Sequence, residues 1–195
     1  MTKKKFKLIE KLQNYNPEND IEKYHKDEML EYLQTAQGYL FRTNFDAHIT
    51  GSAFVVSDDW RSVLLTHHRK LDIWIQLGGH CDGESDILQV AWRETIEESG
   101  LKSTKPFGEE VFDLDIQIIP ERKSEPSHRH MDIRFLFVAD RFEKIRKQEE
   151  ETKEIKWVGI DEVRRYTSQK SILRAIEKIK KIAKIRKPNI NLAFL

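Results

Sequence analysis

Residues 77–101 read LGGHCDGESDILQVAWRETIEESGL, a glycine-rich turn followed by a run with helical spacing. In the second half, Glu94, Glu97 and Glu98 stand at positions i, i+3 and i+4, which share one face of an α-helix. Like charges this close repel one another unless a cation collects their oxygen atoms, and residues 93–101 contain one cationic side chain, Arg93. The run therefore predicts a divalent-metal site.

The turn before the helix supports this interpretation over a plainer one. With 34% charged residues in the chain, an acidic helix face can simply face solvent. Gly78 and Gly79, however, allow the backbone to approach a ligand closely, and either Ser85 or Asp86 can cap the helix that follows. We therefore predict that turn and helix act together as one ligand site.

Turn and helix resemble the signature of the Nudix hydrolases, G-x5-E-x7-R-E-U-x-E-E-x-G-U, in which U is aliphatic. With Gly79 as the opening glycine, the register is continuous through Arg93, Glu94, Glu97, Glu98, Gly100 and Leu101, and Thr95 takes the first U position. Ser85 stands where the signature has its first glutamate, and Glu84 lies one residue early. Glu84 and Asp82 are the alternatives for that role.

The resemblance implies a mixed-sheet α/β/α sandwich and a pyrophosphohydrolase that cleaves a phosphoanhydride linkage in a nucleoside diphosphate derivative. It implies Glu97 and Glu98 as the principal Mg²⁺ ligands, with Mn²⁺ as the alternative ion. The carbonyl of Gly79 or of Gly78 would contribute, and Glu94 would bind metal or orient the attacking water. Arg93 would hold a neighbouring carboxylate. Independently, Mg²⁺ favours a few carboxylates together with water and phosphate oxygens.

Length and composition predict a single catalytic domain with a modest extension. The chain has 195 residues, and 34 Lys plus Arg against 33 Asp plus Glu give a net charge of +1, which argues against broad nucleic-acid binding. The one cysteine, Cys81, suits a reducing cytoplasm. The basic start lacks the apolar run of a secretory signal, and no later segment has the length and hydrophobicity of a membrane span. We predict a cytoplasmic protein, and the resemblance leaves a homodimer open.

The pattern of apolar residues divides the chain into an N-terminal helical extension, 1–44, and a Nudix-like catalytic domain, 45–195. The extension reads as two helices broken near Asn16 and Pro17. The domain reads as strands, then the signature helix, then strands and closing helices. The predicted strands are 48–56, 62–67, 110–119, 128–139 and 153–158, and a short segment, 72–77, leads into the signature loop. The predicted closing helices are 161–166 and 171–184.

Two neighbouring strands carry polar stripes that could line a substrate cleft. Period-2 alternation places His128, His130, Asp132 and Arg134 on one face, and Asp113, Asp115 and Gln117 alternate likewise on the partner strand. We assign His128, His130 and Asp132 to substrate binding. A solvent-facing sheet surface is the first alternative. A zinc site on H-x-H-x-D is the weakest, since no fourth ligand follows at a regular spacing.

The catalytic base and the phosphate contacts have no fixed spacing. Glu149, Glu150, Glu151 and Glu154 are candidates for the base, as are His128 and His130. Arg42, His48 and Lys70 could meet phosphates but are equally plausible as surface residues. An acidic run with nearby lysines is more often a solvated loop.

Two alternative functions remain open. A Nudix-like module could bind a nucleoside diphosphate derivative without turning it over, because Ser85 interrupts the signature. An isomerase acting on an organic diphosphate would want a catalytic cysteine, for which Cys81 is poorly placed in the glycine turn. The repulsion among Glu94, Glu97 and Glu98 in the absence of metal favours the hydrolase.

Overall fold

The computed structural model describes residues 2–121, 125–148, 150 and 152–186. Over these residues the chain forms four α-helices, one 3₁₀ helix and eight β-strands. The helices are α1 (Lys3–Asn14), α2 (Asp20–Thr35), α3 (Ile87–Ser99) and α4 (Lys170–Arg186), and the 3₁₀ helix covers Ile160–Arg165. The strands are β1 (Ala47–Ser57), β2 (Ser62–His68), β3 (Ile73–Ile75), β4 (Leu77–His80), β5 (Lys105–Pro106), β6 (Asp113–Ile119), β7 (His128–Ala139) and β8 (Thr152–Gly159).

The strands form one mixed sheet with the parallel pair β1 and β7 at its centre, where Ala47 lies opposite Arg129 and Ser57 opposite Ala139. The other pairings in the described sheet are antiparallel. Along its length β1 pairs first with β4 and then with β2, and β7 pairs first with β6 and then with β5. Because the two central strands change partners, the sheet splits and curls.

Helices cover both faces of the sheet. Alternate residues of β1, such as Ile49 and Val55, point to a core that also contains Leu12 of α1, Leu33 of α2 and Ala91 of α3. The intervening residues Phe54 and Val56 point to a second core, which α4 closes with Ile172, Ile176 and Ile179. The fold is therefore the predicted mixed-sheet α/β/α sandwich with N-terminal helices.

Gly78 and Gly79, predicted to lie in a turn, are part of strand β4, and the structure departs from the predicted elements in three further places. Ile160–Arg165 forms a 3₁₀ helix where the sequence predicted a closing helix over 161–166, and it follows Gly159, which has no side chain to cap it. The two-residue strand β5 was not predicted, since so short a segment has no detectable period. The parallel pairing of β1 with β7 was also missed, because alternation predicts faces but not partners.

The polar side chains of β7 do lie on one face of the strand, as predicted. At Asp132 and Arg134, however, this face is buried rather than exposed to solvent. Arg134 has no exposed side-chain area, and its guanidinium donates to Asp132 at 2.7 Å, to Asp115 at 2.9 Å and to Asp113 at 3.3 Å. Burial alone would lower the pKa of Arg134, but the three carboxylates outweigh it and raise the pKa. This half of the stripe is a buried ion network covered by α4, not a wet cleft.

The N-terminal helices are joined to the C-terminal helix by buried polar contacts. Glu22 of α2 accepts hydrogen bonds from Tyr15 and from Lys178 of α4, the latter at 3.2 Å, and its side chain has no exposed area. Lys178 also reaches Asp113 of β6 at 3.4 Å. The pair α1–α2 is thus packed into the sandwich. In the described part of the chain no helix is long and apolar enough to cross a membrane.

Candidate active site

The glycine turn lies on β4, which pairs antiparallel with β1 so that Gly78 is opposite Ser52. Gly78 has φ of +151°, a conformation that side chains rarely allow, and a Cβ atom there would fall 2.5 Å from Ser52 Oγ and 2.6 Å from Gly51 O. Any other residue would push β4 away from β1. The sequence predicted that these glycines let the backbone approach a ligand; what the structure shows is a close approach to the neighbouring strand and to α3.

Two carboxylates of α3 reach this turn. Glu98 is 5% exposed, and its Oε1 atom accepts a hydrogen bond of 2.8 Å from the backbone N–H of Gly78. Glu94 lies over Gly79, where a Cβ atom would fall 2.5 Å from the carboxyl carbon of Glu94. The helical spacing points Glu94 and Glu98 in the same direction, and the two glycines leave room for their carboxylates. Carboxylate oxygens therefore lie next to the backbone of Gly78 and Gly79.

Arg93 orders the acidic face. Its guanidinium donates to Glu94 Oε1 at 2.6 Å and to the carbonyl of His80 at 3.2 Å, and it lies 3.9 Å from Glu97. The hydrogen bond to Glu94 raises the pKa of Arg93 above its ordinary value. The Glu97 side chain is 56% exposed. Arg93 thus ties one acidic residue to the turn, while Glu97 extends into solvent at the edge of the same face.

The loop between turn and helix shows what Glu84 and Asp82 do. Glu84 accepts hydrogen bonds from the backbone N–H groups of Ser85 and Asp86 at 2.6 and 2.9 Å, which lowers its pKa. Asp86 caps α3 by accepting from Gln89 N at 3.3 Å. Asp82 forms an ion pair with Arg42. These carboxylates stabilise the loop. Of the two residues that the sequence offered as the cap of α3, Ser85 and Asp86, the structure shows Asp86.

Comparison with known families decides the classification. The sequence model described as the NUDIX domain matches residues 47–178, which includes the glycine turn and all of α3. The chain belongs to the NUDIX family. This match supports an enzyme of the pyrophosphohydrolase class and confirms the resemblance seen in the signature. No curated protein matches the chain significantly.

Solved structures share the fold of this NUDIX chain at low sequence identity. A NUDIX-family hydrolase from Clostridium perfringens is 23% identical and has a TM-score of 0.52, over 69% of this chain and 97% of that one. An Ap4A hydrolase from C. elegans is 15% identical with a TM-score of 0.54, over 70% and 97%. The NUDIX domain of Shewanella oneidensis NrtR, complexed with ADP ribose, is 17% identical with a TM-score of 0.50, over 78% and 96%.

A cluster of four imidazoles lies at the ends of the adjacent strands β1, β4 and β7 of the NUDIX sheet. His48 lies opposite His130 in the parallel pair, and its ring centroid is 4.6 Å from that of His130, 5.1 Å from that of His128 and 5.2 Å from that of His80. Burial and the neighbouring imidazoles lower the pKa of His130 to about 3, and burial lowers the pKa of His80 to about 4. Burial also lowers the pKa of His48. At neutral pH these three rings are uncharged.

The sequence assigned His128 and His130 to the substrate but gave no signal that His48 and His80 join them. His48 is 1% exposed, so it is not the surface residue that its position allowed. Asp132, the third assigned residue, is 3% exposed and accepts from Thr50, Ser52, Gln76 and Arg134. Asp132 is therefore part of the buried network with Arg134 rather than an open position for a substrate.

Of the glutamates considered as the catalytic base, Glu154 lies on β8 and Glu150 lies just before this strand. Gln148 donates its backbone N–H to the carbonyl of Glu98 at 3.0 Å, so this part of the chain runs beside the C-terminal end of the NUDIX helix. Glu150 is exposed just beyond it. Glu154 pairs with Lys156 at 2.8 Å. The candidates Glu149 and Glu151 lie outside the described residues.

Cys81 is not a reactive thiol. Although it follows the glycine turn, it is 1% exposed and belongs to the main core, and burial raises its pKa to about 12. A buried, protonated thiol does not act as a nucleophile. The structure thus provides no support for an isomerase that would depend on this cysteine.

Proposed function

We propose that this NUDIX chain is a Mg²⁺-dependent hydrolase that cleaves a phosphoanhydride linkage in a nucleoside diphosphate derivative. One observation carries the proposal: Glu94 and Glu98 are drawn against the backbone of Gly78 and Gly79, with Glu97 on the same helix face. An arrangement that is only structural would not need three like charges at this spacing beside a turn without side chains.

The donor set fits a hard divalent ion. Mg²⁺ takes oxygen ligands, keeps several waters and is usually held by one or two carboxylates together with substrate phosphates. Glu97 and Glu98, with Glu94 and the carbonyl of Gly79 in support, offer oxygen ligands only. Mn²⁺ accepts the same ligands and is the alternative ion. When bound, the ion makes water easier to deprotonate and neutralises charge on the phosphoryl oxygens.

The chain's own residues would hold the reactants in place. Arg93 keeps Glu94 beside Gly79 through its short hydrogen bond, and the backbone N–H of Gly78 fixes one oxygen of Glu98. Glu94 would either complete the metal site or orient the attacking water by accepting a proton or hydrogen bond from it. Arg93 and Glu94 are therefore our proposed positioning and catalytic residues.

The substrate side of the proposal rests on the polar ends of β1 and β7. We propose that His128 and His130 contact the substrate. Asp132 would hold their strand in place through its hydrogen bonds to Thr50, Ser52 and Gln76. Ap4A and ADP ribose, which name the activity or ligand of two similar structures, both contain phosphoanhydrides. That shared group supports the substrate class without selecting a member of it.

A turnover assay tests the proposal. The native chain and Glu98→Gln are incubated with dinucleoside polyphosphates, ADP ribose, nucleotide sugars and nucleoside triphosphates, with and without Mg²⁺, and released nucleotide is measured. We expect turnover that requires Mg²⁺ and falls by about 100-fold or more in the variant, since a bound ion contributes several kcal/mol. Glu177→Gln, an exposed glutamate on α4, is the matched control and should keep full activity.

Other outcomes separate the alternatives. If the native chain binds a compound of this panel but turns none over, the hydrolase proposal fails and a ligand-binding module replaces it. Three further predictions belong to the same proposal: a nucleotide-type small molecule rather than nucleic acid as partner, a homodimer as the alternative to a monomer, and a cytoplasmic location. Sedimentation of the native chain tests the second of these.

A further inference from the structure

The imidazole cluster has a feature that substrate binding alone does not explain. His48 Nε2 is buried, and over the described residues it has no hydrogen-bond partner. An unsatisfied buried polar atom destabilises the folded state, and its presence therefore calls for an explanation such as a bound ligand. His48 forms a group with His128 and His130, in which one ring nitrogen from each residue lies within 4.8 Å of the others.

Backbone carbonyls fix the tautomers of two of these rings. His48 Nδ1 lies 3.0 Å from Asn44 O, and His128 Nδ1 lies 2.8 Å from Pro126 O. A carbonyl only accepts, so both Nδ1 atoms carry a proton, which in a neutral imidazole leaves the lone pair on Nε2. A carbonyl or carboxylate behind Nδ1 is the usual support of a metal-bound histidine, because it orients the ring and makes Nε2 a better donor.

We propose that Nε2 of His48, His128 and His130 together bind one transition-metal ion of the Zn²⁺ type, separate from the ion on the acidic face of α3. Uncharged nitrogen donors favour Zn²⁺ over Mg²⁺, whereas the carboxylates of α3 favour the opposite. The structure thus supplies two sites of different ligand chemistry. The sequence could not reveal this set, because its third ligand comes from a different strand.

The spacing of the donors is compatible with such an ion. His128 Nε2 and His130 Nε2 are 3.1 Å apart, and two ligands of tetrahedral zinc with bonds of 2.0–2.1 Å are separated by about 3.4 Å. Without metal, His130 donates the proton in this contact, since His128 Nε2 holds a lone pair. On binding, that proton moves to Nδ1 of His130 and frees its Nε2. One ring nitrogen from each of the three residues lies within 4.8 Å of the others, so the side chains would have to draw closer by about 1 Å to bind one ion.

The burial of the ligands leaves one side of the site accessible. His48 and His128 are 1% and 6% exposed, whereas His130 and His80 are partly exposed, so the ion would enter past these two rings. Three ligands leave a fourth position for water or for an anionic ligand. The ion would then be the group that meets a phosphate, in place of the uncharged imidazoles.

Metal uptake by the untagged, chelator-treated native chain tests the proposal without an activity measurement. We expect one equivalent of Zn²⁺ to be taken up in competition with a chromophoric chelator, and Co²⁺ to give the intense visible absorption of four-coordinate nitrogen ligation. His48→Ala and His128→Ala should each weaken Zn²⁺ binding by about 100-fold or more. Failure of the native chain to hold one equivalent overturns the proposal, whether or not the variants fold.

Controls separate this site from the acidic face and from unspecific binding. His67→Ala removes a histidine that lies outside the cluster, stacked on Trp74, and should keep the full affinity for Zn²⁺. Glu98→Gln should also keep it, while losing Mg²⁺-dependent turnover. If Glu98→Gln instead abolishes Zn²⁺ uptake, the ion is on α3 and the histidine site is rejected. Zn²⁺ uptake by a chain that hydrolyses nothing would reject only the proposed hydrolase.

Discussion

The carboxyl group of Glu94 occupies the space that a side chain on Gly79 would need, since a Cβ atom there would fall 2.5 Å from Glu94 Cδ. We predict that Gly79→Ala displaces Glu94 and lowers Mg²⁺-dependent turnover by about 10- to 100-fold. The fold should survive, because the clashing atoms are the far end of a movable side chain. Turnover and thermal unfolding of the variant are the measurements.

Gly108→Ala is the matched control for this change. No atom lies within 4 Å of a Cβ built at Gly108, and its backbone does not have the left-handed conformation. Its turnover should equal that of the native chain. Equal losses at both glycines would mean that Glu94 does not act through its position beside the turn.

Arg93→Lys should weaken metal binding and turnover together. Lysine keeps the charge, but its ammonium group cannot reproduce the fork that links Glu94 to the carbonyl of His80. We expect a 10- to 100-fold loss in turnover and a higher Mg²⁺ concentration at half-maximal activity. If excess Mg²⁺ restores no activity, the role of Arg93 is not to position Glu94 for metal binding.

The buried network predicts a large difference between two arginines. Arg134→Met leaves Asp113, Asp115 and Asp132 buried beside one another, and we expect a loss of about 3–5 kcal/mol in the free energy of unfolding. Arg141→Met removes a partly exposed ion pair with Asp59 and should cost less than about 1 kcal/mol. Urea unfolding of the three chains measures both values. Similar losses would contradict the role of burial.

Acid should destabilise the contact between α2 and α4. Burial opposes ionisation of Glu22, but hydrogen bonds from Tyr15 and Glu18 and the charge of Lys178 outweigh it and hold its pKa below 4.5. The unfolded chain therefore binds a proton at Glu22 at a higher pH than the folded chain does. This part of the stability is present above about pH 4.5 and is lost as the pH falls below it.

Glu22→Gln isolates this effect. The variant should be less stable at pH 7, because Lys178 loses a partner, and should lose less further stability between pH 5 and pH 3 than the native chain. Urea unfolding at a series of pH values gives both curves. Parallel curves would show that Glu22 has the same pKa in the folded and unfolded states.

Cys81 should resist thiol reagents until the protein unfolds. Its side chain is 1% exposed and packed in the main core. As the chain has one cysteine, the absorbance from a chromogenic disulfide reagent reports on Cys81 alone. We expect slow reaction in buffer and one rapid equivalent in denaturant. Rapid reaction in buffer would mean that the core opens near the glycine turn.

Local spacing was sufficient to predict the acidic face. Glu94, Glu97 and Glu98 depend on one helix, whose period fixes their direction, and the cap and the two glycines lie within 20 residues of them. The faces of β6 and β7 were likewise predicted from alternation. The sequence also indicated the break between the N-terminal helices, since Pro17 cannot continue a helix.

Long-range pairing set the limit of what the sequence could show. His48 meets His130 because β1 and β7 pair in parallel, and residues 82 positions apart have no periodicity that would indicate it. Arg134 is buried because α4 packs over it, and the alternation of polar and apolar residues along β7 does not predict where α4 packs. A stripe of charged residues looks the same in sequence whether water or a helix covers it.

The contact of Glu22 with Lys178 has a consequence for how the protein is made. The two residues are 156 positions apart, so α2 is synthesised long before the lysine that its buried carboxylate contacts. Until α4 has been made, the carboxylate of Glu22 lacks this partner. The contact between α2 and α4 can therefore form only after α4 has left the ribosome.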